Sequence, residues 1–365
     1  MENARLTGWQ MFLLTFSFTL GTSIFIRTGD YITSAKEYAW IMPLCGGLYG
    51  AIVASLWLYL ARRFPGLSIV QICRRVLGTK VGTLFASLYI LFFIQISAWV
   101  LRNIGDFVSI NVLRNTPITI LHLTFLLVSA YTVIKGAETL AMVNEFIVPP
   151  FFIIFWTVFF LMLNAWDWEN FGPAQVFNPF QLVAKTKQQF GFPFSETVCL
   201  AMLFPFVQNR LKTSIMAGII VGAVVLSINV FCVLGIVGVY RSSHLLYPIY
   251  TLAQELRFSF FIDHLEVIIS TIWIFAVSIK LSTSMYCAVL GIGQMFKLEN
   301  RTFITLPLIW IILPMSLLFN SVIENLTWDI QYSFAYDMLY AIIIPMILIL
   351  VLWIRQKASK GRDLA

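Results

Sequence analysis

Two stretches of this 365-residue chain place helix breakers and polar side chains inside otherwise apolar runs. The first reads Thr15-Phe16-Ser17-Phe18-Thr19-Leu20-Gly21-Thr22-Ser23-Ile24-Phe25-Ile26-Arg27. The second reads Phe190-Gly191-Phe192-Pro193-Phe194-Ser195-Glu196-Thr197. Glycine and proline weaken a helix, and a backbone broken in lipid must find new partners for its N–H and C=O groups. Where a span is broken on purpose, a half-helix N-terminus faces an anionic group and the freed carbonyls face cations. A packing glycine and a proline kink would leave the same letters. The candidate binding positions are Gly21, Thr22, Ser23 and the flanking Phe25 at the first break, and Gly191, Phe194, Ser195 and Glu196 at the second.

Ionisable side chains inside a span are costly and face a partner or a cavity. Lys280 stands in Trp273-Ile274-Phe275-Ala276-Val277-Ser278-Ile279-Lys280-Leu281-Ser282-Thr283-Ser284, too deep to reach the interface easily. Glu196 follows the second break. An opposite-charge pair of the two, direct or through water, offsets both desolvation costs. It acts either as a structural pair or as a group that changes protonation during a conformational cycle. Ser282 and Thr283 of the same run join Lys280 and Glu196 as candidates for coupling. Glu145, in Asn144-Glu145-Phe146-Ile147-Val148-Pro149-Pro150, is a helix cap or a cytoplasmic gate contact. Gln95 and Ser97 either line a cavity or bond a neighbouring helix. Arg27 and Asp337 are the candidate pair for an outer gate. The chain has no HExxH motif and no Ser–His set at plausible depth, so an enzyme is not expected. The histidines (122, 244 and 264) and the five scattered cysteines have no metal-ligand spacing, so neither a metal site nor a cofactor is expected.

The elements that must position these residues follow from composition. The chain is 59% hydrophobic and 11% charged, against about 25% charged in soluble domains. Its mean hydropathy is +0.86. A soluble enzyme, a disordered chain and a coiled coil are excluded. At about 20 residues per span, the apolar residues suffice for about ten helices. The runs fall near 8–28, 40–61, 81–101, 118–134, 146–163, 190–208, 214–240, 265–290, 303–319 and 334–354. The two breaks then open span 1 and span 6, the first members of two sets of five, as in inverted repeats. The expected organisation is one transmembrane domain over 1–365, with repeats at 8–163 and 190–354 and a tail at 355–365. With the N-terminus in the cytoplasm, 15 Lys and Arg lie inside and 8 outside, so both termini are predicted cytoplasmic. The net charge of +7 is read as topology and not as a nucleic-acid surface. The 62–80 loop has room for a short interfacial helix, and 245–257 reads as a short outer helix.

At Gly21-Thr22-Ser23-Ile24-Phe25 the sequence resembles the Gly-Ser-Gly-Ile-Phe break of amino acid/polyamine/organocation transporters, with Ser23 in place of the second glycine. Pro193-Phe194-Ser195-Glu196 with Leu203-Phe204-Pro205-Phe206 resembles span 6 of spore germination proteins, and Trp273 to Lys280 resembles their span 8. These are the membrane-embedded B subunits of spore germinant receptors, and the resemblance covers essentially the whole chain. It implies an all-α LeuT-like fold of two inverted five-helix repeats, with helices 1 and 6 broken. It also implies a small nutrient, typically an amino acid, bound between spans 1, 3, 6 and 8. The ligand carboxylate would meet the backbone of Gly21, Thr22 and Ser23, and the amine would face Gly191 to Glu196. Membrane A and lipoprotein C subunits in the inner spore membrane are the implied partners. Ile24 lacks the polar side chain that a sodium site at this turn would use. A secondary amino acid transporter, proton-coupled through Glu196 or Lys280, is the alternative.

Overall fold

The computed structural model describes residues 4–172, 178–187, 190–255, 265–298, 300 and 302–362. Arg257 and Arg301 of the topology count, the end of the predicted outer helix and His264 lie outside them. The described residues are almost entirely helical, with one isolated β-bridge between Leu6 and Val207. An uninterrupted backbone hydrogen-bond ladder inside each segment is what a lipid surround demands.

The chain opens with α1 (Gly8–Leu20) and α2 (Ser23–Ala35), which form one span bent by 48°. α1 starts on a capping box, in which Thr7 accepts from the Gln10 N–H and Gln10 reaches back to the Thr7 backbone. Then come α3 (Ile41–Arg63), α4 (Ile69–Leu77), α5 (Thr79–Asn111), α6 (Ile118–Lys135), α7 (Ala137–Met162) and the short α8 (Pro179–Thr186). After the second break come α9 (Leu211–Val237), α10 (Val239–Ser242), α11 (Pro248–Glu255), α12 (Leu265–Phe296), α13 (Thr302–Ser316), α14 (Val322–Met338) and α15 (Ile344–Arg362). Among the described residues seven helical stretches are long and apolar enough to cross a bilayer, and the bent pair makes an eighth. Two shorter apolar helices, Phe190–Met202 and α13, occupy the remaining predicted spans. The protein is an integral membrane protein.

Two helix starts lie well before those of the sequence reading. α7 begins at Ala137, well before the predicted 146, and carries Pro149 and Pro150 inside it. The polar residues Glu138, Asn144 and Glu145 hid its first turns from an apolar window. Gly136, at φ 100°, joins α6 to α7 on its own, in a backbone region that only glycine enters freely. The last span begins at Val322 instead of 334 and continues through α15.

Helix packing depends on small residues. A Cβ on Gly47 of α3 would stand 2.4 Å from the Ala223 Cβ of α9, and one on Gly218 of α9 would stand 2.5 Å from Thr15 of α1. α4 is a short helix inside the 62–80 loop, its apolar face (Ile69, Val70, Ile72, Cys73, Val76) buried against the bundle. Burial pushes the Cys73 thiol up to about 12, so it is an inert packing group. At the same end of the bundle a cavity of about 1510 Å³ is lined by Arg5, Arg63, Arg74, Arg75 and Lys297. The N-terminal strap lies beside it. Leu6 N–H donates to Phe206 O at 2.8 Å, Gln208 N–H donates to Leu6 O at 3.0 Å, and Ser214 Oγ donates to Gly8 O at 2.6 Å.

Candidate functional site

The α1–α2 break is centred on Gly21 (φ −11°, ψ −97°) and Thr22. The first N–H groups of α2 follow it, with no side-chain cap from Thr22. Lys280 of α12 lies against this break. A Cβ on Gly21 would come within 3.0 Å of Lys280 Cδ and 3.1 Å of Ser17 O, so the glycine lets the lysine stem lie along the backbone. Lys280 Nζ donates to Glu196 Oε2 at 2.6 Å and to Thr22 Oγ1 at 3.4 Å. Both side chains are almost wholly buried, at 0% and 4% exposure. Glu196 stands just after the second break, where Phe192 has extended backbone (φ −92°, ψ 127°) between helical turns. The ammonium also sits 5.0 Å from the Phe18 ring centroid and 4.5 Å from that of Phe192. One lysine therefore joins both broken helices.

Arg27 forms a second charged group further along α2. Its guanidinium is fully buried and lies 3.1 Å from Asp30 and 2.7 Å from Asp329 of α14. Its Cζ is 4.6 Å from the Phe192 centroid, on the ring that Lys280 also contacts. The expected partner of Arg27 was Asp337. The structure gives that place to Asp30 and Asp329, and Asp337 is buried at 0% exposure with no hydrogen-bond partner among the described residues. The last span starts earlier than predicted, which brings Asp329 inside the helix and level with Arg27.

Other candidates are held elsewhere. Phe25 stacks on Trp273 at 4.6 Å and lines a small apolar cavity of about 50 Å³. Phe194 is buried against Gly46 and Gly50 of α3. Ser195 Oγ is 2.9 Å from the Tyr49 hydroxyl and donates to Phe190 O. Gly191 lies against the backbone of Ser333 and Phe334. Ser23 Oγ and Thr283 Oγ1 donate to carbonyls one turn back in their own chain, Thr19 O and Ile279 O. Ser282 is buried next to Thr283. Gln95 accepts from Tyr336 at 3.5 Å, and Ser97 donates to Ser284 at 2.9 Å. Glu145 is no cap, because it lies two turns inside α7. It accepts from Gln10 of α1 at 3.2 Å. Sequence reasoning missed Phe18, Phe192, Asp30 and Asp329. The i,i+3 spacing of Arg27 and Asp30 was a usable signal. Nothing local to Phe192 marks it as the ring shared by two cations. Among the described residues no His, Cys, Asp and Glu group could hold a metal ion.

The family model of the spore germination protein matches residues 5–326. The chain belongs to the spore germination protein family. Relatives in that family include spore germination protein KB of Bacillus subtilis (strain 168), 27% identical over 99% of this chain and 98% of that protein. Spore germination protein B2 of the same organism is 24% identical over 98% of each. Solved structures similar in fold include Mhp1, a nucleobase-cation-symport-1 family transporter in a closed conformation with bromovinylhydantoin bound. Its TM-score is 0.70 at 12% identity, over 93% of this chain and 78% of that one. MhsT in complex with L-phenylalanine gives a TM-score of 0.67 at 11% identity, over 97% and 99%. This germination protein thus has the LeuT-like transporter fold, with helices 1 and 6 broken.

Proposed function

We propose that this germination protein is a germinant receptor subunit that binds a small amino acid-like nutrient at the two breaks and passes the change to partner subunits. The observation that carries the reading is the meeting of both broken helices at Lys280. A lysine beside the positive N-terminal end of α2 is electrostatically unfavourable on its own, and Glu196 now compensates it. A ligand carboxylate at the backbone of Gly21, Thr22 and Ser23 would satisfy the α2 N–H groups and compete with Glu196 for Lys280. Glu196, so released, would face the ligand amine with Gly191 to Ser195. Arg27, with Asp30 and Asp329, closes the outer side in this reading, and Glu145 holding Gln10 closes the inner side.

The reading includes residues 8–163 and 190–354 as two inverted repeats, both termini in the cytoplasm, and an inner spore membrane location. A and C subunits would receive the signal, because binding must favour one of two conformations for any signal to arise. The second reading, a secondary amino acid transporter, draws on the transporters that share this fold.

The test is binding and uptake of a labelled L-amino acid panel in proteoliposomes holding this chain alone. Saturable binding without accumulation is the expected result, and Gly21→Leu should eliminate binding while the protein still inserts. Accumulation that depends on Glu196 or Lys280 would replace the receptor reading with the transporter. Unaltered binding in Gly21→Leu would remove the site.

A further inference from the structure

Four carboxylates and two cations gather where α2, the second break, α12 and α14 meet. Lys280 and Glu196 neutralise each other. Arg27 is shared by Asp30 and Asp329, whose side chains each keep 19% exposure. Asp337 has neither relief. It is 0% exposed, and neither carboxylate oxygen has a hydrogen-bond partner among the described residues. The charged groups whose field it shares are Glu196, Asp329, Lys280 and Arg27. The phenols near it are Tyr49 of α3 and, along its own span, Tyr336 and Tyr340. Both cations already hold other carboxylates. An ionised carboxylate buried without a partner carries a desolvation cost that nothing here offsets.

We propose that Asp337 is a proton-binding site, in which the buried acid holds one proton that is released only when Lys280, Arg27 or Glu196 moves. A proton needs no cavity, and Asp337 is fully buried. Any displacement of Lys280 from Glu196, by a ligand or by a conformational change, alters the field at Asp337 and hence its hold on the proton. The inference stands apart from the ligand reading, since it concerns the empty protein.

The test is infrared spectroscopy of the full-length protein at neutral pH, in water and in deuterated water. Wild type should have a carboxylic acid C=O band that shifts on deuteration. Asp337→Asn should lose that band, Asp337→Glu should displace it, and Asp329→Asn should retain it. Persistence of the band in Asp337→Asn, or its loss in Asp329→Asn instead, overturns the proposal. Wild-type spectra are repeated in sodium, potassium and choline chloride at equal ionic strength. An unchanged band is expected. A band that vanishes with sodium or potassium but not choline would assign the site to a metal cation and overturn the proposal. Asparagine has the size and neutrality of the protonated acid, so Asp337→Asn should melt within a few degrees of wild type. Failure of both Asp337→Asn and Asp337→Glu to fold would also count against it.

Discussion

Lys280 and Glu196 sit where neither side chain can turn to water, so each depends on the other. Removing one partner of a buried pair typically costs about 3–5 kcal/mol, because the remaining charge is left uncompensated. Lys280→Met should therefore lower the thermal midpoint of the purified protein sharply. Lys280→Met combined with Glu196→Gln should recover most of the loss, measured by melting in detergent. Equal melting of the single and double variants would mean that an unpaired Glu196 carries no penalty. Arg27 behaves differently, because it holds two carboxylates that are each partly exposed. Asp329→Asn leaves Asp30 in place and is expected to cost about 1 kcal/mol, closer to a partly exposed pair. Arg27→Gln strands both and should cost more than Asp329→Asn in the same assay.

At the scale of elements, close helix contact depends on the missing side chains of Gly46, Gly47 and Gly50 on α3 and of Gly218 and Gly222 on α9. Gly47→Leu would drive a side chain into Ala223, and overpacking of this kind costs about 1–3 kcal/mol. Its signature would be a lower melting temperature with the Lys280 site still able to bind. The breaks were legible in the sequence because Gly21-Thr22-Ser23 and Phe190 to Thr197 contradict the apolar helices around them. The ten apolar runs were legible for the same reason that hydropathy works in membranes. The start of α7 was not, since its first turns are polar and its prolines lie inside a helix that tolerates them. The partner of Arg27 was not legible either. It depends on where along the last span Asp329 and Asp337 stand, and that depth is set by packing of α14 against the second break, which no local pattern records.

For the whole molecule, the two ends of the bundle are tied together in different ways. One end is held by Arg27 and its carboxylates. The other is held by main-chain hydrogen bonds between the strap at Leu6 and the segment from Phe206 to Gln208, beside the cavity lined by five cations. Leu6 and Val207 face each other across the isolated bridge, so Leu6→Cys with Val207→Cys should cross-link under mild oxidation. The cross-linked protein should bind ligand but fail to respond until reduced. A full response in the oxidised state would show that the response does not require this end to open.

The strap has a mechanical consequence. α1 leads directly from Leu6, and Phe206 follows directly from the helical turns that carry Glu196. The backbone bonds between them tie α1 to the turns that follow Glu196, so a tilt of one of these segments would carry the other with it, and Lys280 lies between the two breaks. A ligand need not push each half separately. A small tilt at the breaks would be magnified along the length of α1, and the strapped end would travel furthest.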